Sequence, residues 1–197
     1  MIELRDGSRI VIRAIEPGDR AALAEAFGRL SPESRYRRFF APLPELRRRD
    51  LDYLTRVDHR DHEALVAVDP ATGRWEGVAR YVRTGERVAE PAIVVGDEWQ
   101  RRGVGTALLG ALVTRAREEG IERFEAPVLA ENARAIALLG SIGETRRHRR
   151  GREVVLSIDL SPSGSSGAAR RAAPRAPGSS PPRRGGGQWP SRARPPA

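Results

Sequence analysis

The sequence predicts an α/β protein with a mixed, mostly antiparallel sheet flanked by helices on both faces. Three observations predict it. Residues 64–68, 75–82 and 88–95 are apolar, β-branched runs separated by turn residues, which reads as a three-stranded meander. Residues 88–128 then run strand, long amphipathic helix, strand, the unit that joins parallel neighbours. Helical stretches lie before and after the meander, and a sheet with apolar residues on both sides needs helices on both faces to cover it.

The elements follow in order. Residues 8–15 (Ser-Arg-Ile-Val-Ile-Arg-Ala-Ile) read as the first strand. Pro17-Gly18-Asp19 is a turn, with Asp19 placed to cap a helix over 21–30 in which Leu23, Ala26, Phe27 and Leu30 recur at helical spacing. Ser31-Pro32-Glu33 restarts a helix to about residue 40, with a hydroxyl at the N-cap, proline in the first turn and a carboxylate at the positive dipole end. Pro42 and Pro44 break the chain before a helix over 46–57. The turn at 69–73 makes 64–68 and 75–82 a hairpin, and a turn near Gly85 leads into 88–95. In the helix over 103–119, Val104, Leu108, Leu109, Leu112 and Ala116 form the apolar face. Arg115, Arg117, Glu118 and Glu119 turn to solvent, and Gly120 stops the helix. A strand over 124–128, a helix over 132–142 and a strand over 154–160 complete the pattern.

Charge divides the chain of 197 residues in two. It carries 35 basic and 26 acidic side chains, and every basic one is arginine. Residues 161–197 hold seven of the arginines, no acid, eight prolines and six glycines, so this tail is expected to be disordered. Residues 1–160 keep 28 arginines against 26 acids and form one near-neutral domain. Without lysine there is no Schiff base and no P-loop; without cysteine there is no disulfide, thiol nucleophile or thiolate metal site. The first residues carry charge where a signal peptide is apolar, and no run approaches the roughly 18–20 apolar residues that span a bilayer. A soluble, cytoplasmic protein with no membrane partner is expected.

The chemistry concentrates in Val94-Val95-Gly96-Asp97-Glu98-Trp99-Gln100-Arg101-Arg102-Gly103-Val104-Gly105-Thr106. A strand ends, and a long helix starts on glycines flanked by arginines. The first amides of a helix have no intrahelical acceptor and carry the positive end of its dipole, and glycine lets a bulky anion approach the backbone. The stretch reads as a pyrophosphate cradle. A dinucleotide fingerprint would need glycine where Leu108 stands.

Gln100-Arg101-Arg102-Gly103-Val104-Gly105, after a valine-rich strand and before Leu108-Leu109, resembles the acetyl-coenzyme A signature of the GNAT superfamily of N-acetyltransferases. The resemblance covers about residues 3–160. Residues 130–139 look like the family's second motif, with Asn132 in its usual place. The string Leu30-Ser31-Pro32-Glu33-Ser34-Arg35-Tyr36-Arg37-Arg38-Phe39-Phe40 is similar to the acetyltransferase domain of bacterial protein lysine acetyltransferases that modify acyl-CoA synthetases. The resemblance implies a GNAT-type sheet. It implies acetyl-CoA as cosubstrate, with its pyrophosphate on the amides of residues 101–106, its pantetheine beside Ile93, Val94 and Val95, and an amine acceptor such as a protein lysine. It places Glu90 at the general base, just upstream of the thioester-binding amides. Pro91 departs from the pattern and is expected to mark an edge or bulge. Leu139 stands where many members have a tyrosine that protonates the leaving thiolate, and Glu144 replaces the usual aromatic; water is then the proton source.

The remaining polar residues read more plainly. Asp58-His59-Arg60-Asp61-His62 sets two imidazoles three apart, too few for zinc, so no metal is expected. Arg35, Arg37 and Arg38 read as a solvated helix face at the acceptor-side lip, and Tyr36, Tyr53 and Tyr81 as packing residues. Rival functions are acetylation of a small amine or an N-terminus, a catalytically weak acyl-CoA sensor, and nucleic-acid binding through the basic tail alone. The tail has a single aromatic, Trp189, and no stacking array.

Overall fold

Alternation in the central strands sets the architecture. A computed structural model describes residues 1–161; the expectation of a disordered tail falls, from residue 162 on, outside the described residues. In β3 (His62–Val68), Ala64 and Val66 face one side and Leu65 and Ala67 the other, and all four are buried. The first pair packs with Leu23 of α1 (Arg20–Arg29) and Leu54 of α3 (Arg48–Thr55); the second packs with Leu108 and Leu112 of α4 (Val104–Glu118). Helices therefore cover both faces. Val104, Leu108, Leu109 and Leu112 are fully buried, each stabilising the fold by roughly 1.5–3 kcal/mol. Gly77 lets this helix lie close: a Cβ there would stand 2.9 Å from Leu108.

The sheet has eight strands in the order β1-β2-β3-β4-β5-β6-β8-β7. They are β1 (Ile2–Glu3), β2 (Arg9–Ala14), β3, β4 (Trp75–Gly85), β5 (Val88–Val95), β6 (Arg123–Leu129), β7 (Thr145–Arg150) and β8 (Glu153–Asp159). Every neighbouring pair is antiparallel except β5 and β6, which run parallel. That parallel ladder has only two pairs, Val88 with Arg123 and Ala89 with Phe124. From Glu90 on, β5 stays paired with β4 as far as Val95 and leaves β6, so a cleft opens between them. α2 (Pro32–Phe39) and α5 (Ala133–Gly140) stand at this opening.

Several expectations are corrected. β1 and β7 form where the sequence predicts no strand; β7, Thr-Arg-Arg-His-Arg-Arg, has no apolar residue and is mostly exposed at the sheet edge, where cations keep a strand from pairing with another chain. Asp19 makes no cap bond to α1; its carboxylate accepts from the Glu16 amide and pairs with Arg13 at 2.7 Å. Helix α3 begins only at Arg48. Pro91 is not at a bulge, since the β4–β5 register runs unbroken from Gly77–Val95 to Arg83–Ala89. It marks an edge, the other half of that expectation: it lies two residues past Ala89, the last residue paired with β6, where a missing N–H costs no ladder bond on that side. Arg115 is not simply solvated. It binds the buried Glu63 at 3.1 Å as well as Glu118 and Glu119, and the carboxylates of Glu118 and Glu63 push its pKa upward.

Candidate active site

The backbone of the cradle is built by two left-handed residues. Arg101 has φ of 65° and Gly103 a φ of 106°, and together they turn the chain from the end of β5 into α4. No side chain caps α4 and its first turn holds no acid, so its own first turn leaves the positive helix end uncompensated. Gly105 meets a packing need: a Cβ would stand 2.9 Å from Leu138 of α5 and in contact with Val95 and Ile93. Glycine there lets β5, α4 and α5 converge.

A cavity of about 570 Å³ occupies the opening between β5 and β6. Glu90, Ile93, Val94, Val95, Gln100, Arg101, Gly103, Gly105, Thr106 and Asn132 all line it. Two expected residues do not: Val104 is fully buried in the core, and Arg102 stacks over Trp99 and pairs with Asp6 at 3.5 Å. For Val104 only the main chain can serve the cradle. Asn132 caps α5, its side-chain oxygen accepting from the Ala135 amide at 3.2 Å. Gln100 donates to the Val95 carbonyl at 3.3 Å and so ties the turn to the strand end. Arg5, Arg37 and Arg134 also line the cavity, adding positive charge that the motif did not announce because it lies in three distant segments. Leu139 lines it too and brings no hydroxyl.

Glu90 sits at the other end of this cavity. It is 9% exposed, on the sheet face that α1 and α3 cover, opposite Val82 of β4. Burial raises its pKa to about 7; the nearby charge of Arg38 opposes this and that of Glu153 adds to it. Around it stand Arg38, Tyr53 and, one row along β4, Arg80. The solvated-face reading of the α2 arginines is thus corrected. Arg35 donates to the carbonyls of Gly28 and Pro44, and Arg38 stacks over the Phe39 ring at 4.7 Å within the site; Arg37 pairs with Glu33 at 2.5 Å. Of the two spaced histidines, His59 binds Glu63 at 2.8 Å, whereas His62, held neutral by burial with a pKa of about 3, faces Arg80 at 3.1 Å. They serve different networks. Among the described residues no three His, Cys, Asp or Glu side chains are grouped to hold a metal. No helix among them is long and apolar enough to cross a membrane.

The arrangement offers a polyanion a cationic helix start. It offers an extended chain the free edge of β5, and an amine a carboxylate that titrates near neutrality.

Comparison with known proteins agrees with this geometry. Residues 25–143 match the acetyltransferase (GNAT) family. The acetyltransferase Pat of Mycolicibacterium smegmatis is 35% identical over 144 residues, 72% of this chain; the chain spans 43% of that relative's length. An acetyltransferase of Pseudomonas aeruginosa is 31% identical over 124 residues, 61% of this chain and 67% of the relative. Among solved structures, the GNAT domain of S. lividans PAT superposes with a TM-score of 0.75 at 34% identity, covering 80% of this chain and 94% of that domain.

Proposed function

Because the chain belongs to the acetyltransferase (GNAT) family, we propose that it transfers the acetyl group of acetyl-CoA to a primary amine, the side chain of a protein lysine, with Glu90 as general base. The pyrophosphate rests on the amides that open α4, helped by Arg101, and the pantetheine arm pairs with the free edge of β5 at Ile93, Val94 and Val95. A main-chain amide at Val94 or Val95 holds the thioester oxygen and stabilises the negative charge that grows there during attack. The acceptor arrives as an ammonium ion. Glu90 takes its proton, directly or through one water, the nitrogen attacks the thioester carbon, and the C–S bond breaks. Leu139 supplies no acid, so a water relays the second proton of the attacking nitrogen to the thiolate. Asn132 shapes the cleft by holding the start of α5.

The observation that carries this reading is the buried carboxylate with a pKa of about 7 in one cavity with the bare helix start. A lysine acceptor is supported by the similarity to Pat and by the string at residues 30–40. The test is incubation with labelled acetyl-CoA and a cell lysate. This chain has no lysine, so any acetyl-lysine recovered belongs to another molecule. Label confined to small amines or N-termini would replace the lysine assignment.

A further inference from the structure

A second cavity, of about 510 Å³, lies between α1–α3 and the sheet. Arg38 and Val94 line both it and the cleft, so a thioester held at Val94 sits at their junction. Its inner wall is cationic. Arg80 is 3% exposed, opposite Ala92 and therefore between the rows of Glu90 and Val94. It donates to the Leu54 carbonyl at 3.2 Å and faces the neutral His62. Burial, together with the charge of Arg38, lowers its pKa to about 9; burial lowers that of Arg38 to about 10. Neither forms an ion pair with a carboxylate among the described residues. Glu90 favours the charge of Arg38 from beyond contact distance, and the group that favours that of Arg80 is a phenol, Tyr53, not a carboxylate. A buried guanidinium such as that of Arg80 is costly without an anion, and the charge of the half-buried Arg38 beside it adds to the cost. Of the three acids that line the cavity, two are engaged elsewhere and the third, Glu98, is exposed. Glu76 pairs with Arg29 at 3.9 Å, roughly 13 Å along β4 from Arg80, and Asp97 accepts from Ser31 and Ser34.

We infer that this second cavity is a carboxylate pocket, in which Arg38 and Arg80 receive the carboxylate of a substrate that reacts at Val94. The inference rests on the acyl-transfer reading above. The junction at Val94 favours the acyl donor as the source, a short dicarboxylic thioester such as succinyl-CoA. Its chain spans roughly 4–5 Å from thioester carbon to carboxylate, of the order of the roughly 7 Å between the rows of Val94 and Arg80. The chemistry is unchanged. Glu90 takes one proton of the ammonium, the nitrogen bonds to the thioester carbon, the C–S bond breaks, and a water relays the second nitrogen proton to the thiolate. The distal carboxylate stays ionised between the guanidinium groups, which match it by paired hydrogen bonds.

The test measures kcat/KM with the full chain in two substrate pairs. One is succinyl-CoA against butyryl-CoA, its uncharged equal in length, on a lysine peptide. The other is 4-aminobutyrate against butylamine, with acetyl-CoA. The carboxylate-bearing member of one pair is expected to be favoured by about 10–100-fold, as hydrogen bonds to a charged group allow. The favoured pair names the source, donor or acceptor. In Arg80→Gln the preference falls towards one, and Arg80→Lys, which keeps the charge, retains part of it. A ratio near one in both pairs, or a preference untouched by Arg80→Gln, overturns the proposal. If no donor is turned over, the acyl-transfer reading fails, and calorimetry with succinate still decides the pocket. Binding that Arg80→Gln abolishes supports it, and no binding to the wild type overturns it.

Discussion

Glu90 meets two opposed demands. In its proposed role as base it must be ionised in the presence of the amine, and as a buried side chain it is more stable protonated. Its ordinary pKa is 4.5 and its folded value about 7, so between these values the unfolded chain releases the proton first. The native state then binds more protons than the unfolded state, and stability falls as pH rises through this window, by up to about 3 kcal/mol in all. Glu90→Gln removes the ionisation and keeps the size. It is expected to raise the melting temperature at pH 8 and to leave it unchanged at pH 4.5. Turnover should fall by about 10²–10⁴-fold, as loss of a general base does. In the wild type kcat/KM should climb about tenfold per pH unit up to about pH 7 and then level. A flat profile, or a variant as active as the parent, removes Glu90 from the reaction. Its neighbourhood was legible in part: the carboxylate in an apolar strand is visible in Ala89-Glu90-Pro91, whereas Arg38 and Tyr53 reach it from helices far away in sequence.

At the scale of elements, the convergence of β5, α4 and α5 depends on Gly105. Valine there would press on Leu138 and on Val95 and Ile93. Gly105→Val is expected to raise the KM for acetyl-CoA more than about tenfold, with Leu138→Ala in the same chain restoring part of the loss, since the pair shares one contact. Equal KM values in steady-state assays would show that the convergence does not shape the cleft. The start of α2 is held differently. The Ser31 hydroxyl accepts from the Ser34 amide at 3.2 Å and donates to Asp97 at 3.0 Å, which ties the helix to the turn after β5. Ser31→Ala should cost about 0.5–2 kcal/mol in chemical denaturation, the usual range for a lost N-cap. This cap was readable because a hydroxyl before proline and glutamate has one common use. The cap at Asp19 misled because the same carboxylate finds a better partner in Arg13, a contact no local pattern encodes. β7 was invisible for a related reason: hydrophobic alternation marks strands with a buried face, and this edge strand has none.

For the whole molecule, the alternation of the central strands made the two-sided sheet legible, because a strand buried on both faces must be apolar throughout. The cleft was not legible, since it depends on where the β5–β6 ladder stops, and pairing length leaves no periodic signal. The ladder stops after two pairs, so the β1–β5 half of the sheet and the β6–β8 half are joined there by few hydrogen bonds. A ligand seated on β5, α4 and α5 at once adds contacts across that seam and binds only the folded chain. Acetyl-CoA at about 100 times its dissociation constant should then stabilise the fold by about 2.7 kcal/mol, by mass action alone. For a folded part of this size each kcal/mol is worth roughly 2–4 °C, so the melting temperature should rise by about 5–10 °C. Glu90→Gln should show the same rise, because the proposed role of the carboxylate is towards the amine and not the coenzyme. Gly105→Val should show little. A wild-type melting curve indifferent to acetyl-CoA would place coenzyme binding elsewhere than this seam, whatever the activity of the variants.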